Sequence, residues 1–388
     1  MDKLKKYIRN LLVLLVILVP TSCFAANDTD KNLDNPNSKN PIEMARVLFG
    51  GDVLPHLNFD KYAYNYGGGI YNYDRNFEMI KDFTLDSDLF VVNCEFTSNP
   101  NYEPSGYPTF NSNKNIYKSL RDIGVDVITT ANNHCLDTGL EGLDSTIEAM
   151  NSFGIDNCGT RIDSKRNYLL KETNGINIGI LAYAEQLNGL EYLLDSKEKK
   201  NKVDMIDPIL IMNDIKNIRK AGADFVVVYP HWGDEYESYP RDRQINLAHA
   251  MIDWGADMVI GNHPHVIQPR EEYETLDGRK GIIYYSLGNL VSNQNHKYFN
   301  DDYRPEQGLL VEAIIYKKND DQKAKLLNTT YHNIWTESSR DENGLLNRVH
   351  LTEEFTGSTK KYKSSDENIN YMELTNQMND ETMHTNVD

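Results

Sequence analysis

Short apolar runs alternate with amphipathic segments over most of the chain, and Gly, Pro, Asn or Asp bounds the runs. Runs of this kind predict buried β-strands, whereas apolar residues at helical spacing predict helices. Strands are expected at 45–54, 88–96, 125–131, 176–184, 281–289 and 308–316, with two more ending just before His231 and His263; helices are expected at 113–123, 140–153, 208–221 and 241–254. This alternation predicts an α/β domain.

Polar and ionisable side chains follow directly after the predicted strands. They are Asp52, Glu95, Asn133, His134, His231, His263 and His265. Ligand sites of open α/β sheets assemble at the carboxyl ends of the strands, so we expect these side chains to meet. Each one alone would be explained by a turn cap or a local hydrogen bond. Carboxylates, an amide and imidazoles together predict one or two divalent ions, with Mn, Fe or Zn favoured over Ca, which prefers oxygen ligands.

Glu95 and the His263–His265 pair carry most of the chemical information. A carboxylate inside an apolar run must be paired, protonated or metal-bound, because burying a bare charge is expensive. His263 and His265 flank Pro264, so their side chains can reach two ions at the ~3.5–4 Å separation used by two-metal hydrolases. His134, beside the candidate ligand Asn133, is then free to protonate a leaving group.

A series of motifs resembles a known family. The motifs are GDV at 51–53, NCE at 93–95, ANNHCLDTG at 131–139, HWGDEY at 231–236, GADMVIGNHPHVIQPRE at 255–271 and SLGN at 286–289. In this order they resemble the CapA family of capsule-synthesis proteins, which is associated with poly-γ-glutamate and is similar to calcineurin-like metallophosphatases. The resemblance implies a two-sheet metallophosphatase-like sandwich flanked by helices. It also implies that His134 is the acid–base residue and that the metal ligands are Asp52, Glu95, Asn133, His231, His263 and His265.

The same resemblance implies residues around the metals and shows two departures from the pattern. Trp232, Glu235, Tyr236 and Arg270 would line the substrate site. Arg270 would either clamp an anion through its bidentate fork or form a surface salt bridge, and Asp137 would either orient His134 or cap the following helix. Leu54 stands where metallophosphatases have a His, which leaves open whether His56 takes its place. Glu95 stands where they have an Asp.

Charge and cysteine content narrow the class of protein. The net charge of −18 argues against a nucleic-acid partner, because phosphate binding needs clustered Lys and Arg. An anionic substrate would need a local cation, which a metal can supply. Cys94, Cys135 and Cys158 cannot all pair with one another, so a disulfide framework is not expected to hold the fold.

The two ends of the chain differ from the middle. Basic residues precede the apolar run at 11–19, and small residues follow it, which predicts a secretory signal over 1–25. The signal is cleaved after Ala25 or kept as an anchor; alternatively Cys23 is lipidated, although Pro20 argues against this. We expect a polar linker at 26–43, the α/β domain at 44–320 and a polar, partly disordered accessory tail at 321–388.

These observations favour an exported protein that is tethered to the cell surface or secreted. With the resemblance, they predict a metal-dependent, hydrolase-like site that acts in the synthesis, export or processing of an anionic polymer such as poly-γ-glutamate, together with membrane capsule-synthesis subunits. A non-catalytic, metal-stabilised scaffold is the alternative, and a phosphoesterase that acts on generic phosphate esters is a third. Leu54 favours the scaffold, and His134 favours catalysis.

Overall fold

The computed structural model describes residues 42–166, 168–318, 321, 323–357 and 361–387. The predicted export signal at 1–25 and the linker up to residue 41 lie outside these residues. Within them, no helix combines the length and apolar character needed to cross a membrane.

The first sheet joins the start of the domain to its end. Its strands are β1 (Ile42–Leu54), β2 (Leu89–Cys94), β3 (Val127–Thr129), β4 (Asp156–Cys158), β11 (Asn289–Ser292), β12 (Gln307–Lys318), β13 (Lys325–Asp341) and β14 (Gly344–Leu351). The order is β14-β13-β12-β1-β2-β3-β4, and β11 also pairs with β1. Strands β1 to β4 run parallel, so their carboxyl ends lie at one edge, where polar side chains can converge.

The second sheet carries the predicted histidines. Its strands are β5 (Leu169–Thr173), β6 (Ile176–Ala184), β7 (Phe225–His231), β8 (Met258–Ile260), β9 (Ile267–Glu274) and β10 (Lys280–Leu287). The order is β5-β6-β7-β8-β10-β9, and β6, β7, β8 and β10 are parallel. Apolar side chains of both sheets form one continuous core. The predicted mixed α/β fold with two sheets is confirmed.

Helices cover the sheets. They are α1 (Leu57–Tyr66), α2 (Asp74–Phe77), α3 (Lys81–Thr84), α4 (Asn115–Asp122), α5 (Gly139–Ser152), α6 (Lys197–Lys200), α7 (Pro208–Lys220), α8 (Asp242–Trp254) and α9 (Asp366–Met383). Helix α7 shows how residues at the start of a helix fix its first turn. The Asp207 side chain accepts hydrogen bonds from the Ile209 and Leu210 backbone at its start, with Pro208 in the first turn, which are favourable helix-start features. Helices α7 and α8 pack their apolar faces on the second sheet in a separate cluster.

The chain beyond residue 320 differs from the prediction of an accessory tail. Its described part supplies β13 and β14 of the first sheet and the helix α9. Met372 of α9 is buried against Trp335 and Phe355. The sequence pattern missed these elements because the two strands lie at the margin of the sheet, where only part of each is buried and apolar alternation is weak.

Met372→Ala is therefore expected to destabilise the whole domain rather than a detached tail. Loss of a buried Met side chain costs about 2–4 kcal/mol of unfolding free energy, measured as the shift of the urea midpoint. Glu373, the next residue of the helix, is exposed, so Glu373→Ala is the control and should change the midpoint by less than about 0.5 kcal/mol. Equal midpoints for Met372→Ala and the parent protein would contradict this packing.

Candidate metal centre and cleft

Asp52 is held at the end of β1 by a close approach between two strands. A Cβ atom on Gly51 would lie 1.9 Å from the Gly288 carbonyl oxygen, so only glycine fits there. The Asp52 backbone N–H donates to the same oxygen at 3.1 Å, and the Asn93 side-chain amide donates to Asp52 Oδ1 at 2.7 Å. The carboxylate is therefore fixed in position by its backbone and by Asn93.

Glu95 follows Cys94, the last residue of β2, and therefore lies just beyond the strand. The apolar run had placed it inside a strand that extends to residue 96. The Glu95 side chain is fully buried, and neither carboxylate oxygen has a hydrogen-bond partner. Burial raises the pKa of Glu95 to about 8, because the charged form loses its hydration. A buried carboxylate with two free oxygens is the kind of group that a cation satisfies.

The imidazoles gather around Glu95 from the second sheet. His231 is the last residue of β7, and its Nε2 lies 3.3 Å from Glu95 Oε1. His263 Nδ1 lies 3.2 Å from His231 Nε2, and His265 Nε2 lies 3.8 Å from Glu95 Oε1. Ligand atoms fall into two groups, Glu95–His231–His263 and Asp52–Glu95–His265, each within 4.8 Å. Because Glu95 belongs to both, the donor set fits two neighbouring divalent ions with a shared carboxylate.

The turn around Pro264 holds both of its histidines in a left-handed backbone conformation. The φ angles are 100° at His263 and 59° at His265, which for residues other than glycine costs about 1–3 kcal/mol each. The His263 backbone N–H donates to Asp52 Oδ2 at 3.1 Å, and the Pro264 carbonyl accepts from the Tyr236 N–H at 2.8 Å. These bonds hold the turn with both imidazoles in the cluster.

The three imidazoles differ in the direction in which their pKa is shifted. Burial lowers the pKa of His231 to about 3 and that of His263 well below its usual value, so both are neutral and ready to donate a lone pair. Burial also opposes the charge on His265, but the carboxylates of Glu95 and Asp52 raise its pKa to about 9. A divalent ion bound here would displace the His265 proton and balance both carboxylates.

Asn133 lies at the same cluster. Its Oδ1 is 2.7 Å from His231 Nε2, the ring nitrogen that faces Glu95. Its amide nitrogen donates to Asn188 Oδ1 at 3.3 Å. Asn188 was missed by the sequence analysis, although it precedes Gly189 and has a φ of 53°, which is typical of an Asn-Gly turn. That turn helps to fix the amide of Asn133.

His134 lies between the imidazole–carboxylate cluster and the carboxylate of Asp137. Its Nδ1 is 2.7 Å from Asp137 Oδ2, and its Nε2 is 3.9 Å from Glu95 Oε1. The same Asp137 oxygen accepts the Phe110 backbone N–H at 2.6 Å. Of the two roles open for Asp137, this geometry matches orientation of His134. The Nε2 end faces the cluster and lies 3.4 Å from the Asn188 amide nitrogen.

A cleft of about 630 Å³ opens beside the cluster. Its walls combine imidazoles, amides, one carboxylate and aromatic rings: Leu54, His56, Asn58, Tyr107, Phe110, His134, Glu235, Tyr236, His265, Asn293, Gln294, Tyr298 and Phe299. Glu235 and Tyr236 were expected here. The rings at 107, 110, 298 and 299 were missed, because they lie in loops or, for Tyr298, in the short 3₁₀ turn His296–Tyr298, where no apolar period predicts a position.

One wall of the cleft, the lip segment at 293–299, is anchored by the C-terminal part of the chain. His296, in the middle of the lip segment, has its Nδ1 2.6 Å from Glu306 Oε1. Its ring lies 5.6 Å from that of Tyr371 on α9, and Trp335 Nε1 donates to the other Glu306 oxygen at 3.1 Å. The C-terminal helix thus supports the cleft.

Two residues expected at the substrate site lie elsewhere. Trp232 directly follows His231, the last residue of β7, and successive side chains of an extended chain point to opposite faces. Its indole N–H donates to the Tyr285 carbonyl at 3.0 Å. The Trp232 side chain therefore lies in the core cluster under α7 and α8. Arg270 is exposed on β9 and lines a different cavity with Tyr331 and Asp380, because β9 carries it away from the Pro264 turn. Neither residue lines the cleft.

The sequence left open whether His56 replaces the metal-binding His that is absent at Leu54. His56 lines the cleft, its Nε2 has no hydrogen-bond partner, and its ring packs edge-on against Phe110. It belongs to neither of the two groups of candidate ligands found among the described residues. Its position is therefore that of a cleft wall residue.

The family of the chain follows from its sequence. A model of the family described as Bacterial capsule synthesis protein PGA_cap matches residues 46–294. The chain belongs to this family. The matched range contains every predicted metal ligand together with His134 and the Asp137 that contacts it.

Two relatives are similar over much of their length. The "Capsule biosynthesis protein CapA" of Bacillus anthracis is 29% identical over 328 residues, which cover 82% of this chain and 74% of the relative. The "PGA biosynthesis protein CapA" of Bacillus subtilis (strain 168) is 32% identical over 260 residues, which cover 65% of this chain and 64% of the relative. Among solved structures, the calcineurin-like phosphoesterase YfkN from Bacillus subtilis aligns with a TM-score of 0.45 and 15% identity, over 88% of this chain and 99% of that one.

Proposed function

We propose that this protein is a metal-dependent hydrolase of capsule synthesis that acts in making, exporting or processing an anionic polymer such as poly-γ-glutamate. The observation that carries the proposal is Glu95, which is fully buried, has no hydrogen-bond partner at either oxygen and is shared by two groups of potential ligands. A cleft beside this centre gives a substrate access to it. The family membership and the names of the two relatives support the pathway.

The residues of this chain divide the chemistry between them. Asp52, Glu95, Asn133, His231, His263 and His265 would hold the metal. When bound, a divalent pair supplies positive charge that stabilises an oxyanion and acidifies a water molecule. His134 presents Nε2 to the leaving-group atom and donates a proton to it as the bond breaks. Asp137 accepts a hydrogen bond from the His134 Nδ1–H, which keeps the ring in the tautomer and orientation that this transfer needs.

Export and surface attachment are part of the proposal. The basic, apolar and small-residue segments at 1–25 support secretion through a signal that is cleaved, kept as an anchor or lipidated at Cys23. The polar stretch at 26–43 would then separate the domain from the membrane, where capsule-synthesis subunits are the proposed partners.

A metal-stabilised scaffold without turnover is the second candidate. Leu54 favours it, because an apolar side chain forms part of the cleft wall where metallophosphatases have an imidazole. A scaffold needs the ligands but makes no use of His134.

Metal analysis followed by a hydrolysis screen separates the two candidates. The purified full-length protein would be assayed with γ-glutamyl oligomers and with phosphate esters, with and without a chelator. The hydrolase predicts bound Mn, Fe or Zn and turnover that the chelator abolishes. Bound metal without turnover of either class would support the scaffold, and release of phosphate from generic esters alone would support the plain phosphoesterase.

Asp137→Asn is expected to lower kcat about 10- to 100-fold with little change in KM, a magnitude typical of residues that orient an active-site histidine. The amide can donate to His134 Nδ1 and so favours the wrong tautomer, while metal content stays unchanged. Asp144→Asn is the control, because Asp144 pairs with Lys202 and does not line the cleft. An equal loss in both variants, or a loss of metal in Asp137→Asn, would contradict a positioning role.

A further inference from the structure

The walls of the cleft have an unusual charge for a site expected to receive an anionic polymer. None of the described residues that line it is Lys or Arg. Arg270, the expected anion clamp, lines another cavity. The carboxylate of Glu235 faces the cleft instead, and it is close enough to act electrostatically on Glu95 and His265. Away from the metal centre and His134, Glu235 is therefore the charged group that the described residues present to the cleft.

Aromatic rings line the same cleft as this carboxylate. Tyr236 follows Glu235 in the chain, and its hydroxyl accepts a hydrogen bond from Gln294 Nε2 at 3.0 Å. The ring of Phe299 lies 5.1 Å from that of Tyr236. Tyr107 and Tyr298 are 80% and 66% exposed at the cleft, although large aromatic side chains are usually covered. Such exposed rings offer π-faces to a ligand.

From these observations we infer that the outer part of the cleft is a binding site for an ammonium group of the substrate. A carboxylate among aromatic rings recognises a cation through ion pairing and through the negative faces of the rings. This inference rests on the proposed function, because it takes the cleft to be the substrate's. It names the substrate class more narrowly: a molecule with an anionic or acyl reacting group at one end and a primary amine near it.

The opposite charges of the two parts of the cleft explain how such a molecule would be oriented. With two divalent ions bound, the inner part of the cleft would be positive, because the two carboxylates of Asp52 and Glu95 balance only part of the charge of the ions. The wall at Glu235 is negative. A substrate with a negative reacting group and a positive amine would align with this field, whereas a chain of carboxylates without an amine would be repelled at the outer wall.

Binding of two small probes that differ in charge tests the inference without requiring turnover. The metal-loaded full-length protein would be titrated with n-butylammonium and with n-butanol, followed by ligand-observed NMR. We expect n-butylammonium to bind more tightly. Glu235→Gln should weaken n-butylammonium about 3- to 5-fold, because it removes the carboxylate of an exposed ion pair, and should leave n-butanol unchanged. Glu237→Gln is the matched control, because Glu237 pairs with Arg241 and does not line the cleft.

The outcomes separate this inference from the proposed hydrolase activity. Equal binding of the two probes, or an unchanged affinity of Glu235→Gln for n-butylammonium, overturns the ammonium site even if hydrolysis is observed. Displacement of n-butylammonium by glucose at similar concentration would mean that the rings bind neutral sugars, which also overturns it. Selective loss of n-butylammonium binding in Glu235→Gln supports the site even if the protein hydrolyses nothing.

Discussion

His134→Ala is expected to lower kcat for the hydrolysed substrate about 10²–10⁴-fold, the usual contribution of a general acid or base. The imidazole presents Nε2 beside Glu95 and its other nitrogen to Asp137, so its removal takes away the proton donor and leaves the ligand set in place. The variant should fold and bind metal like the parent protein. Kinetic assays, metal analysis and circular dichroism would measure these three properties.

His249→Ala provides the matched control for that experiment. His249 is a half-buried histidine that contacts Glu271 at 2.8 Å and does not line the cleft, so its loss should leave kcat unchanged. Polymer production in cells that carry each variant gives a second readout, which does not depend on the choice of test substrate. Full polymer production with His134→Ala would exclude a catalytic role for this histidine and would favour the scaffold.

Glu95→Gln is expected to lower metal affinity at least about 100-fold, since even changes in residues that only orient ligands cost 10- to 100-fold. Both groups of candidate ligands share this carboxylate, so one substitution weakens both. Gln has nearly the same volume and no charge, and it should therefore be accommodated in the metal-free fold. The parent protein should gain about 2.7 kcal/mol of stability at a metal concentration of 100 Kd, and Glu95→Gln should lose most of this gain.

Thermal unfolding with and without added Mn²⁺ or Zn²⁺ measures the stability difference directly. Glu274→Gln is the control, because Glu274 is an exposed carboxylate at the end of β9 and its loss should leave the metal-induced shift intact. If Glu95→Gln and the parent protein shift equally on addition of metal, the ions bind elsewhere and the shared-carboxylate centre is wrong.

The strand-end residues show what the sequence could predict. Apolar runs locate the strands, and in parallel sheets their carboxyl ends share an edge, so Asp52, Glu95 and the later imidazoles could be expected to meet. Alternation along a strand also separates His231 from its neighbour Trp232, a distinction that motif resemblance alone did not make. Resemblance placed Arg270 at the substrate site, but the course of β9 takes it to another cavity.

Other parts of the site depend on contacts that no local pattern encodes. The rings of Tyr107 and Tyr298 reach the cleft from segments far apart in the chain, and loop conformations follow from tertiary packing. The chain after residue 320 is polar, yet Met372 packs against Trp335. A few apolar residues at wide spacing were enough to attach α9, although they were too few to produce a recognisable period.

The lip segment and the candidate metal ligands lie in different parts of the sequence. The family match ends at residue 294, so the candidate ligands lie inside the matched range. Tyr298 and Phe299 lie beyond it, as do Glu306 and Tyr371, which contact His296 of the lip segment. Substitutions in the C-terminal region are therefore expected to change the wall of the cleft while the candidate metal ligands stay the same. Exchange of that region between homologues is therefore expected to alter which substrates bind in the cleft without changing the metal ligands.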